Sequence, residues 1–143
     1  MSVQQNIEKL RKGYAAWTVS KGSAVDYWIN LLDDNVQWAS TVDEANLGMS
    51  FAKDRQSKDG VRAYFENLGS IWEMVFFDLE DIIGQNNRVV VLGNCKWKNR
   101  NTGKTVETKK VDVFRFKNGK ILEFREYFDT AKAIAASTPD ASQ

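Results

Sequence analysis

The residues of this sequence best suited to chemistry are two carboxylates that fall on one face of adjacent strands. In KKVDVFRFK, alternation puts Lys110, Asp112, Phe114 and Phe116 on one side and Val111, Val113, Arg115 and Lys117 on the other. The two phenylalanines mark the Asp112 side as the inner one. In KILEFREYF the same reading groups Leu122, Phe124, Glu126 and Phe128 against Glu123, Arg125 and Tyr127. A neighbouring strand that points Lys96 and Lys98 outward turns Cys95, Trp97 and Gly93 inward. Asp112 and Glu126 therefore sit among aromatic rings. Burial of that kind raises a carboxyl pKa and lets the group act as a hydrogen-bond donor or a general acid/base. The plainer alternative is a satisfied structural group, Asp112 paired with Lys110 or Glu126 with a tyrosine hydroxyl. Two such groups on one concave face favour a pocket with a polar floor.

The rest of the composition narrows the chemistry. The chain has no histidine and a single cysteine, which excludes an imidazole base, Ser-His and Cys-His nucleophile systems, and the usual His-containing zinc sites. No metal and no cofactor are expected. Eight phenylalanines, five tryptophans and four tyrosines supply the walls. Tyr14 is the one phenol on the first helix's apolar stripe, and a buried hydroxyl needs a partner such as an inward carboxylate. Trp17, Trp38, Phe65 and Trp72 are core or pocket wall. Cys95 reads as a small buried hydrophobe, with no base or helix N-terminus beside it.

These side chains must be positioned by helices first and strands after. Residues 3–20 place Ile7, Leu10, Tyr14 and Trp17 at helical spacing, and Gly22 supplies the left-handed residue that ends the helix. Ser23 and Asp26 have the spacing of a capping box that opens a second helix burying Val25, Trp28, Ile29 and Leu32. A short strand over 36–38 follows, and 39–57 shows no period. Its acids, like Asp33 and Asp34, read as solvated, with Asp43 and Glu44 placed to close over a pocket if that segment covers one. Ser57 or Asp59 caps a third helix, with Val61, Tyr64, Phe65, Leu68 and Trp72 on one side. From Met74 the period becomes two, and turn signals at 85–87, 100–103 and Asn118-Gly119 delimit strands over 74–84, 88–99, 105–117 and 120–128. Asp129 caps a short closing helix. The pattern is α+β, a curved antiparallel sheet with helices on one face, in a single domain over 1–136 with a disordered tail over 137–143.

A net charge of +1 gives no global attraction to nucleic acid or anionic membranes. The Lys- and Arg-rich stretch 96–120 would put Lys96, Lys98, Lys109, Arg115 and Lys117 on the convex face. It reads as solvated or subunit-contacting rather than phosphate-tracking, because no stacking or groove-entering motif accompanies it. With no apolar stretch of spanning length and no apolar leader in MSVQQNIEKLRKGY, the expected setting is cytoplasmic. No membrane or nucleic-acid partner is expected.

Several segments together carry a resemblance: the opening helices ending in LLDDNVQW, the helix DGVRAYF, the strand KKVDVFRFKNGKI and the closing FREYFDTAKAIAA. Their order is similar to that of the NTF2-like superfamily and, within it, the SnoaL-like and ketosteroid-isomerase-like proteins. The resemblance implies a cystatin-like cone of sheet and helices around an apolar pocket, and commonly a homodimer paired through the sheet. It also implies that Tyr14 and a protonated Asp112 match the isomerases' oxyanion hole, a donor pair of known type. The isomerases' base position falls at Trp38. Glu126 falls at one acid of the superfamily's epoxide hydrolases, whose other acid and arginine fall at Cys95 and Gly93. The expected function is that of a pocket for a small hydrophobic molecule, in a cofactor-independent isomerase or polyketide-cyclase-type enzyme. The alternative is a non-catalytic binding or dimeric interaction module. The expected catalytic groups are Asp112, Glu126 and Tyr14, with Trp17, Trp38, Phe65, Trp72, Cys95, Trp97, Phe114, Phe124 and Phe128 binding the substrate.

Overall fold

A computed structural model describes residues 2–41 and 54–141. The chain runs α1 (Val3–Val19), α2 (Asp26–Leu31), β1 (Leu32–Ser40), β2 (Arg55–Gln56), α3 (Lys58–Ile71), β3 (Trp72–Gln85), β4 (Arg88–Asn99), β5 (Thr105–Lys117), β6 (Lys120–Phe128) and α4 (Thr130–Ser137). The expected Asp43 and Glu44 lie outside the described residues.

The long strands β3 to β6 form the expected antiparallel meander, and Asn118-Gly119 turns between β5 and β6 with both residues at positive φ, as a tight hairpin requires. The whole sheet has six strands in the order β2-β1-β6-β5-β4-β3. It is mixed rather than wholly antiparallel, because β1 runs parallel to β6, with Trp38 beside Phe124 and Ser40 beside Glu126. It is also curved and unclosed, with the N-terminal helices against its inner face. Register shifts in β3 and near the start of β6 accompany the bending.

Local chemistry sets the elements, with instructive departures from the sequence reading. Ser2 and Gln5 make the capping box that opens α1. At its other end Gly22 N–H donates to Trp17 O and Lys21 N–H to Thr18 O, so Lys21, at φ 52, is the first left-handed residue and Gly22 the second. The Ser23–Asp26 box does not form. Val25 is the N-cap of α2 without a side-chain bond, Ser23 Oγ donates to Ser20 O, and Asp26 pairs with Arg62 of α3 at 3.3 Å. Ser57 does cap α3, accepting from Gly60 N–H at 3.2 Å. Trp72 is the first residue of β3 rather than part of the helical face. A shift after Ile121 makes that residue, not Leu122, the inward partner of Phe116, and Ile121 is fully buried.

The last helix continues through Ser137, and Lys104 Nζ donates to Thr138 O at 2.6 Å and pairs with Asp140 at 2.8 Å. The chain is thereby tied to the sheet's turn as far as Asp140. Among the described residues no helix is long and apolar enough to cross a membrane.

One core of buried residues joins the helices to the inner face of the sheet, from Leu10 and Val61 to Val91 and Phe114. Gly13 permits a close approach in it, since a β-carbon there would lie 2.8 Å from the Trp28 ring. Trp28 in turn lies parallel to Phe114 and edge-on to Tyr14. A Gly13→Val change is expected to overpack this contact and destabilise the fold by about 2 kcal/mol, seen as a lower urea midpoint. An unchanged midpoint would show that α1 and α2 have room to separate.

Candidate active site

The register of β5 and β6 makes Asp112 and Glu126 direct cross-strand neighbours on the inner face. Each is only 2% exposed. Two like charges so placed would repel. Lys110, two residues before Asp112 and therefore on the same face, resolves the conflict: its Nζ donates to Asp112 Oδ1 at 2.7 Å and lies 3.3 Å from Glu126 Oε1. The Lys110 side chain is 17% exposed, and its ammonium lies 5.6 Å from the Phe124 ring centroid. Burial alone would lower its pKa, but the carboxylates of Asp112 and Glu126 overcome that and hold it above the usual lysine value.

Two helices bring one phenol each to this cluster. Tyr14, on α1, donates a short hydrogen bond to Asp112 Oδ2. Tyr64, on α3, donates to Glu126, with both carboxylate oxygens 2.9 Å away. The five side chains form one chain of contacts, Tyr14–Asp112–Lys110–Glu126–Tyr64. Burial, then the neighbouring carboxylate, raises both phenols well above 10, so both keep their protons. Burial pushes the Glu126 carboxyl up; Lys110 opposes that and Asp112 reinforces it, leaving a net rise.

The cluster lines two adjoining cavities. The larger, about 70 Å³, is walled by Trp17, Tyr64, Leu68, Trp72, Phe77, Cys95, Trp97, Val106, Phe128 and Ala133, with Glu126, Lys110 and Thr108 as its polar edge. That space exceeds what one water needs several-fold. The smaller, about 40 Å³, is lined by Tyr14, Trp17, Trp28, Trp38, Tyr64, Phe65, Phe114 and Phe124, with Lys110 and Asp112. Trp17, Tyr64 and Lys110 belong to both. Trp38 stacks on Phe124 with ring centroids 3.8 Å apart.

Each residue predicted for the site thus borders one cavity or the other. Glu126, Trp72, Cys95, Trp97 and Phe128 face the larger; Tyr14, Asp112, Trp38, Phe65, Phe114 and Phe124 face the smaller; Trp17 faces both. The sequence reading did not place Lys110 and Tyr64 in the site, although strand parity already aligned Lys110 with Asp112 and helical spacing put Tyr64 on the inner side of α3. Both plain alternatives, Asp112 with Lys110 and Glu126 with a tyrosine, are realised together.

Burial raises the Cys95 thiol to about 11, so it is not a nucleophile at neutral pH. On the outer face the basic stripe is interleaved with acids: Lys109 pairs with Glu80 at 3.0 Å and Arg115 with Glu123 at 2.5 Å.

A helix-covered, curved mixed sheet around an apolar chamber defines the NTF2-like fold, and known structures share it. An NTF2-like protein of unknown function from Burkholderia pseudomallei K96243 is 26% identical, with a TM-score of 0.82 over 96% of this chain and 99% of that one. TerC, crystallised with polyporic acid, is 18% identical, with a TM-score of 0.74 over 92% and 97% of the two chains. A candidate SnoaL-like polyketide cyclase from Jannaschia sp. CCS1 is 17% identical, with a TM-score of 0.72 over 96% and 94%. Among curated proteins there is no significant match. The SnoaL-like domain matches residues 10–124, and the chain belongs to that family.

The raised Glu126 carboxyl has a consequence for stability. A carboxyl whose folded pKa exceeds its unfolded one, ordinarily 4.5, binds protons more readily in the native state, so its contribution is greatest at low pH and is lost as pH rises through the folded value. Glu126→Gln removes that loss and leaves Lys110 one carboxylate partner. Relative to wild type, the variant is expected to gain stability from pH 5 to pH 8, by up to about 1.4 kcal/mol per pH unit crossed within the window. Urea midpoints at the two pH values measure it; a constant difference would show that Glu126 titrates normally.

Proposed function

We propose that this SnoaL-like protein admits a small, largely apolar carbonyl compound to its aromatic chamber and moves a proton on it with Glu126, as a cofactor-independent isomerase or cyclase would. The observation that carries this reading is Glu126 itself: a buried carboxyl with a raised pKa, on the edge of a cavity whose other walls are mostly rings and aliphatic side chains. A raised carboxyl is a stronger base than a solvated one and a better match to neutral pH. Tyr64 orients it through its hydrogen bond and Lys110 through an ion pair at 3.3 Å. TerC, with polyporic acid in its crystals, supports the idea that this fold suits organic ligands. The fold itself serves many tasks, so function follows from the site and not from the fold.

Exchange of α-hydrogens for deuterium in small cyclic ketones, followed by NMR, tests the reading. The wild type should accelerate exchange, and Glu126→Gln should reduce that acceleration by ~10²–10⁴-fold, the usual contribution of a positioned acid/base. Equal rates in the two proteins would sink the proposal.

One observation favours a second reading. Trp38 occupies the position at which the resemblance places a base, and it is buried and stacked on Phe124. A protein that binds without turnover would quench its tryptophan fluorescence on adding the same ketones while catalysing no exchange.

A further inference from the structure

We propose that the two cavities form one binding site divided by Lys110, and that the Lys110 ammonium, not the Tyr14–Asp112 pair, is where the ligand's oxyanion docks. This rests on the acid/base reading of Glu126 and names the electrophilic partner that such a reaction requires.

Donor accounting supports it first. Tyr14 has one hydroxyl proton, and it is given to Asp112 Oδ2. The other Asp112 oxygen accepts from Lys110 at 2.7 Å. Both carboxyl oxygens therefore act as acceptors, and the pair that resembles an oxyanion hole has no donor left over. Tyr64 likewise spends its proton on Glu126. Lys110 is different: an ammonium has three N–H donors, and its contacts with Asp112 and Glu126 use two. The remaining donor belongs to a group that borders both cavities.

Geometry supports it second. The oxygen and the α-hydrogen of a ketone belong to neighbouring carbons, so a donor and a base that serve both must be adjacent. Lys110 Nζ and Glu126 Oε1 are 3.3 Å apart. Charge supports it third. A cation beside two carboxylates keeps its proton and strengthens as an electrostatic partner where water is excluded.

In the step this implies, the Glu126 carboxylate takes the α-hydrogen as a proton. The C–H electron pair becomes the enolate C=C bond, and the carbonyl π pair moves onto oxygen. Lys110 donates a hydrogen bond to that oxygen and retains its proton. Glu126, now the acid, returns its proton to carbon as the carbonyl re-forms. No oxidant or reductant is involved. The ligand class is an uncharged ketone or enone whose enolate is its only anionic form. A permanently anionic ligand would meet both carboxylates, whereas an enolate, or a phenolate whose proton has passed to Glu126, meets only that of Asp112.

Titration of 4-nitrophenol tests the docking group directly, because the bound phenolate has its own visible absorption. In wild type the bound phenol should ionise at lower pH than in free solution. Lys110→Met should weaken phenolate binding at least tenfold and abolish that shift, whereas Lys110→Arg should keep most of it and Tyr14→Phe should change affinity less than threefold. If Lys110→Met does not fold, Lys110→Met with Glu126→Gln removes one cation and one carboxylate together and is compared with Glu126→Gln alone. Unchanged phenolate binding without the lysine overturns the proposal, as does a larger loss in Tyr14→Phe or the absence of binding in wild type. The ketone exchange assay reports separately on Glu126. Glu126-dependent exchange with lysine-independent phenolate binding refutes Lys110 alone, and Lys110-dependent phenolate binding without exchange refutes the acid/base reading alone.

Discussion

The ammonium of Lys110 lying between Asp112 and Glu126 is the contact on which the rest of this structure depends. Antiparallel pairing of β5 and β6 sets the two carboxylates opposite each other in the core, an arrangement that neither solvent nor the surrounding rings can stabilise. One cation on the same face supplies the missing charge. The phenols of α1 and α3 then complete the carboxylates' hydrogen bonding. Each helix therefore carries to the sheet a polar group with a specific acceptor. A slip of either helix by a turn would leave a buried carboxylate oxygen without its phenol donor, and an unsatisfied buried acceptor costs ~1–3 kcal/mol. The network thus fixes where the two helices sit as well as what the site can do.

The chamber beside the network follows from how the sheet ends. β1, parallel to β6, brings Trp38 over Phe124 and closes one side of the smaller cavity. Trp17 stands between the cavities, in edge contact with Phe65 and tilted against Trp97. Ala133 of the last helix lines the larger cavity from the opposite end of the chain. Helix, strand and terminal segment thus converge on one apolar space whose charged groups, among the described residues, are Lys110, Asp112 and Glu126. Proton transfer is favoured in such a space because fixed dipoles and charges act at low effective dielectric.

Much of this was legible in the sequence because it depends on local period. The four long strands, their turns and the inward parity of Asp112, Phe114, Glu126 and Phe128 follow from alternation alone. The rest depends on non-local pairing. The parallel partnership of β1 with β6 has no local signature, so the sheet read as wholly antiparallel. A bulge shifts which of Ile121 and Leu122 faces inward, and simple alternation cannot register it. Trp72 fits a helical stripe equally well by spacing, yet it begins β3 because the helix ends one residue earlier. Ser23 has the right residue type for a cap, but Ser20 reaches the neighbouring amides first. In sequence Lys110 reads only as a structural partner for Asp112, for a related reason: its contact with Glu126 depends on the cross-strand register of β5 and β6.

Resemblance and mechanism part at Tyr14 and Asp112. Tyr14 and Asp112 have the identities of an oxyanion-hole pair, but a hydrogen-bond donor stabilises a ligand only if its proton is not already committed. Here the phenol's proton is committed to the carboxylate, and the carboxylate's second oxygen is committed to the lysine. A network satisfied this fully is good for stability and poor for binding, except at a member with donors to spare. The absence of histidine sharpens the point, since no neutral imidazole stands by to give or take a proton. On the proposed reading, chemistry at this site uses the charge that holds the carboxylates together, so the group that permits the fold and the group proposed to meet the ligand are the same lysine.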